Sequence, residues 1–145
     1  MALDQLYQQT ILEHNRQPRN YGPLAGATHA ARGQDALCGD DILIELRIDG
    51  QRIEAAAFSG EACVVTKASA SLLTDWLVGR EPAEVIDWVS RFERLLRDTS
   101  IEDVPELGAI NQLRAVGQFP ARVRNALLPW QATRRALAPT ASVGY

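Results

Sequence analysis

The two cysteines of this chain, Cys38 and Cys63, lie on either side of a β-hairpin pattern. Cys38 opens the triplet Cys38-Gly39-Asp40, directly ahead of the strand-like run Ile42-Leu43-Ile44-Glu45-Leu46-Arg47-Ile48. Asp49-Gly50 turns the chain, Arg52 to Phe58 runs back, and Cys63 falls where a long apolar-striped helix begins. A hairpin sets its ends side by side, so both thiols and the Asp40 carboxylate are expected to meet at a loop-rich edge. Such a group is suited to metal or sulfur chemistry. It supplies three ligands, whereas a tetrahedral zinc ion or an iron of a cluster takes four. Spacing alone leaves open a second reading, in which the cysteines are small buried hydrophobes.

The electrostatics favour a thiolate at Cys63. A helix N-terminus offers free backbone N–H groups and the positive end of the dipole. Lys67 lies one turn further along the same face, and it is the one lysine among fifteen basic residues. Gly39 lets the backbone after Cys38 approach a bound ion closely.

The elements that must position these groups follow from periodicity. Residues 3–14 read as a helix through Leu3, Leu6, Tyr7 and Ile11, and 15–26 as a Pro-, Gly- and Asn-rich loop. An edge strand is expected over 28–34 despite poor alternation, then the hairpin 41–48 and 52–58, whose inward face is Ile42, Ile44, Leu46 and Ile48. A helix over 62–78 carries the stripe Val65, Ala68, Ser69, Leu72 and Trp76, with Cys63, Lys67 and Thr74 on the opposite side. Pro82 starts a helix reaching Asp98, with Val85, Val89, Phe92 and Leu96 in register. Pro105 starts a shorter one to about Val116. Pro120 begins the last, striped by Val123, Ala126, Leu127 and Trp130, with Pro129 expected to kink it and the tail after Ala138 to fray. Trp76, Trp88 and Trp130 read as core. The predicted class is α+β, a small antiparallel sheet of about three strands packed against several helices in one domain spanning 1–145.

Composition sets the outer limits. The net charge is −3 and no basic stripe with interleaved aromatics points to nucleic acid. No apolar run approaches the ~20 residues of a membrane span, and the first residues lack a signal-peptide pattern. A cytoplasmic location, with both thiols reduced, is the expectation.

The local sequences carry more. Leu6-Tyr7 through Ile11, His14, Pro18-Arg19-Asn20 and Cys38-Gly39-Asp40 resemble the start of the iron–sulfur cluster scaffold family that includes IscU, SufU and the N-terminal domain of NifU. Gly60-Glu61-Ala62-Cys63, then Ala68-Ser69-Ala70-Ser71, resembles that family's second cysteine motif. Phe119-Pro120-Ala121-Arg122-Val123-Arg124, then Ala126 and Trp130, resembles the segment around its third. The extra residues at about 90–108 resemble the SufU-type branch, as does Arg124 in the place of a histidine.

The chain departs from the pattern where the third cysteine would stand, which is Asn125. Helical geometry turns Asn125 away from the core stripe and toward the pocket of Cys38, Asp40 and Cys63. An amide oxygen is a poor, hard ligand for a soft metal site. Asp35-Ala36 replaces the usual Asn-Pro, and Lys67 stands at a position where the branch has an uncharged residue. Together these lead to the expectation that Lys67 supplies charge in place of a metal, with bound metal weak or absent at rest. The alternative has Lys67 in solvent and Asn125 as drift in a degenerate paralogue. Arg122 and Arg124 are expected to be solvated, and His14 to be a packing or surface residue.

The resemblance implies a scaffold or sulfur-acceptor protein rather than an ordinary enzyme. It would take persulfide sulfur from a cysteine desulfurase onto Cys38, hold iron, zinc or a transient cluster at Cys38, Asp40 and Cys63, and pass the product to iron–sulfur acceptor proteins. Nucleic acid and membrane are not expected partners. A monomer or weak homodimer is expected, the latter able to pool ligands. A paralogue that docks on the desulfurase without building a cluster is the alternative, and a two-thiol redox protein is a third reading.

Overall fold

The computed structural model describes residues 8–138; Leu3, Leu6 and Tyr7 of the expected first helix, and the tail after Ala138, lie outside them. The elements run α1 (Gln9–Arg16), β1 (His29–Asp35), β2 (Asp40–Asp49), β3 (Arg52–Glu61), α2 (Val64–Leu77), α3 (Pro82–Arg97), a 3₁₀ segment (Pro105–Val116) and α4 (Pro120–Leu137). The α+β class stands as expected.

The strands form one antiparallel sheet in the order β1-β2-β3. Period-2 patterning does the work in β2, where Ile42, Ile44 and Leu46 are fully buried. Ile48 keeps to that face, partly buried against the core and paired with Ile53, because the irregularity between Arg47 and Ile48 places its extra residue, Glu54, on β3. The outer edge of β3 is covered by the loop after α1. Phe58 N–H donates to the Asn20 carbonyl at 3.0 Å, and Gly22 N–H donates to the Phe58 carbonyl at 2.8 Å.

The helices pack on one face. α2 is the central one, with small residues Ala68, Ser69, Ala70 and Ser71 all buried in its middle. Small side chains let α4 come close, and Ser69 Oγ donates to the Ala126 carbonyl at 2.6 Å. The side of α2 that carries Thr74 is covered as well. Thr74 is fully buried, donates to the Ala70 carbonyl at 2.9 Å and accepts from Asn20 Nδ2 at 3.1 Å, because the loop after α1 covers that side. Trp130 of α4 stacks on Phe92 of α3 at 4.2 Å, and Val123, Ala126 and Leu127 complete the buried stripe. Trp76 is half-buried, packed 5.6 Å from Trp130.

Proline and glutamate set the helix starts. Pro82 stands at the first position of α3, where Glu81 and Glu84 form a capping box. The expected helix after Pro105 is 3₁₀, broken at Gly108, whose φ is 53°. α4 continues through Pro129 to Leu137.

Candidate functional site

The sheet brings both thiols to one end of the molecule. Asp41 pairs with Glu61, so the turn before β2 and the residues after β3 are adjacent by register. Cys38 lies in the turn between β1 and β2, half-buried, and its neighbour Leu37 is 86% exposed. The turn is set by Asp35, whose Oδ1 accepts from Leu37 N–H at 3.0 Å. Gly39 closes it at φ 74°, a conformation glycine adopts without steric cost. Arg124 Nε lies 3.5 Å from Asp35 Oδ2, tying the turn to α4.

Cys63 is the N-cap of α2, with extended backbone and no side-chain cap of its own. Asp40 caps that end from the neighbouring strand. Its Oδ1 accepts from Cys63 N–H at 2.8 Å, and its Oδ2 accepts from the Thr66 hydroxyl at 2.6 Å. A carboxylate there satisfies free donors of the first turn and meets the positive end of the helix dipole. Asp40 is only 3% exposed, so these bonds are what keep a charge out of water at tolerable cost. Cys63 Sγ lies 3.8 Å from Asp40 Oδ2 and 3.3 Å from Thr66 Oγ1.

Asn125 completes the group from the first half of α4. Its Nδ2 donates to Asp40 Oδ2 at 3.0 Å, its Oδ1 accepts from Arg122 Nη1 at 3.1 Å, and Cys38 Sγ lies 3.8 Å from the same oxygen. The reversed amide would set two oxygens against each other at Asp40. As expected, the side chain faces the two-cysteine pocket, and it is buried completely rather than lining an open rim.

The structure therefore strings Cys38, Asn125, Asp40 and Cys63 into one hydrogen-bonded row. Lys67 is not part of it. It sits half-buried one turn past Cys63, and its ammonium makes no ion pair among the described residues. The cation that reaches the row is Arg122, which corrects its reading as a solvated residue. Thr66 was not singled out from sequence; a hydroxyl at the third position of a helix opened by cysteine was its one signal.

The donor set falls short of a four-ligand soft-metal site. Among the described residues no three His, Cys, Asp or Glu side chains converge to hold an ion, and the fourth member of the row is an amide already bonded on both sides.

Two thiols joined through a shared carboxylate and carboxamide thus stand at one end of a three-stranded sheet. The chain belongs to the NifU-like N-terminal domain family, which residues 6–126 match. It is 34% identical over 136 residues to the zinc-dependent sulfurtransferase SufU of Bacillus subtilis, covering 94% of this chain and 92% of that one. It is 29% identical over 143 residues to the iron–sulfur cluster assembly scaffold protein IscU of Streptococcus pyogenes, covering 99% and 89%. Among solved structures, a NifU-like N-terminal domain from Brucella abortus superposes with a TM-score of 0.84 at 21% identity, covering 93% of this chain and 94% of that one. That likeness bears on the fold. No helix among the described residues is long and apolar enough to cross a membrane.

Proposed function

We propose that this protein is a sulfur acceptor in iron–sulfur cluster assembly, a carrier and scaffold rather than an enzyme with turnover of its own. The observation that carries the reading is the setting of Cys38. Its sulfur is half-buried on a turn that ends in a positive-φ glycine, beside an exposed leucine and within reach of the Arg122-Asn125 pair. The relatives' names, a sulfurtransferase and a cluster scaffold, support the same class of work.

The transfer balances without an external oxidant. The Cys38 thiolate, its proton given to solvent, attacks the outer sulfur of a persulfide on a cysteine desulfurase. A new S–S bond forms at Cys38, the donor's S–S bond breaks, and the electron pair leaves on the donor cysteine. The outer sulfur keeps its proton. The Arg122 guanidinium bonds the same Asn125 oxygen that Cys38 Sγ approaches, and a positive charge there would favour later loss of that proton to give the anionic persulfide. Cys63 is fixed by Asp40 and Thr66, which suits it to hold rather than to fetch. Iron and sulfide are cargo in this scheme, to be assembled or handed to acceptor proteins in the cytoplasm.

The test is the rate at which a desulfurase converts cysteine to alanine. The wild-type chain and Cys63→Ser accelerate it; Cys38→Ser does not. The second reading, a docking regulator that builds nothing, draws on Asn125 in the row. It requires the desulfurase rate to respond equally to Cys38→Ser and wild type.

A further inference from the structure

The chemistry around Asp40 runs against a metal. A carboxylate offers about four acceptor positions. Cys63 N–H takes one on Oδ1, while the Thr66 hydroxyl and the Asn125 amide take both on Oδ2. The oxygen nearest Cys63 Sγ is thus already filled.

Asn125 is held from both sides. Its N–H face points at Asp40 and its oxygen at Arg122 and Cys38. An ion entering between the sulfurs meets amide hydrogens on one side and, on the other, an oxygen that a guanidinium already occupies. Drawing Asp40 to the ion strands a fully buried amide donor. Turning Asn125 Oδ1 to the ion instead gives up the Arg122 bond and sets the two cations against each other. Either route gains, at most, a hard oxygen where a soft sulfur is preferred.

We propose that Asn125 closes this site to zinc-class cations and makes it a metal-independent thiol site, in which Arg122 supplies the positive charge beside Cys38. The resting ligand class is then an anionic sulfur species, a thiolate or persulfide, and not a resident zinc ion. The role given to Cys38 rests on the sulfur-acceptor reading; the exclusion of metal rests on the Asp40-Asn125 geometry alone.

The experiment uses the full chain, stripped with a chelator and titrated with zinc against a chromophoric zinc indicator, with Asn125→Cys in parallel. Removing groups that merely orient a metal ligand already costs 10–100-fold in affinity, so exchanging a thiolate for an engaged amide should cost more. The expected result is zinc binding more than about 100-fold weaker in the wild type than in Asn125→Cys. A second measurement needs no variant: the alkylation rates of Cys38 and Cys63 in the wild type stay unchanged as zinc is added. Near-stoichiometric zinc in the wild type, zinc protection of its thiols, or equal affinity in a folded Asn125→Cys overturns the inference. Should that variant not fold, the alkylation rates decide. Persulfide loading of the same stripped protein separates the two readings. Sulfur added only when zinc is present overturns the metal exclusion. No sulfur at any zinc level, with unprotected thiols, leaves that exclusion standing and overturns the acceptor role.

Discussion

Asn125 gives an amide N–H to Asp40 Oδ2 across 3.0 Å, joining α4 to the first residue of β2 inside a fully buried contact. That bond makes Asp40 a structural group as much as a chemical one. It serves Cys63, Thr66 and Asn125 at once.

Asp40→Ala should therefore destabilise the metal-free protein. Three donors lose their acceptor in a buried place, and a loss of about 3 kcal/mol is expected in urea unfolding. Asp40→Asn keeps an acceptor oxygen and should cost about half as much. A residue that served only as a metal ligand would leave metal-free stability unchanged or raised.

Gly60 governs the approach of β3 to Cys63. Its φ is 108°, and a methyl group there would run into the Asp41 carbonyl oxygen of the paired strand. Gly60→Ala should cost at least about 2 kcal/mol, from backbone strain and the clash together. The Tyr21 hydroxyl, which donates to the Gly60 carbonyl at 3.0 Å, should lose protection with it. Urea unfolding and tyrosine fluorescence read both effects.

His14 adds a pH dependence away from the thiols. Its Nδ1 lies 2.7 Å from Ser71 Oγ, which also accepts from Arg19 N–H at 2.7 Å. Burial, and then the Arg19 charge, hold the His14 pKa below the ordinary 6.5, against smaller upward pulls from Asp75 and Glu13. The unfolded chain thus binds the proton first as pH falls. The His14 contribution is complete above about 6.5 and is lost on acidification down through the lowered native value. Unfolding midpoints at pH 7.5 and 5.5 should fall further apart in the wild type than in His14→Gln.

Much of this was legible in the residues, and what was not has identifiable causes. The hairpin and its two flanking cysteines follow from alternation and an Asp-Gly turn. β1 alternates poorly because its buried position is Gly33, where the sheet meets Leu128 and Ala132 of α4; burial by a glycine leaves no hydrophobic signal. The irregularity that leaves Glu54 of β3 unpaired was not announced by any pattern in β2, whose alternation runs on to Ile48. The pairing of Asn125 with the cysteines was readable from helical phase. The choice of Arg122 over Lys67 as the local cation was not, since both stand one turn from a site residue and only tertiary packing separates them. Thr66 was hidden for a related reason, its partner Asp40 being on another element.

The most direct measurement is peptide mass mapping of the zinc-free chain after incubation with a desulfurase and cysteine. The prediction is one added sulfur atom on the peptide containing Cys38 and none on that containing Cys63. Sulfur on Cys63 alone, or on neither, would contradict the account.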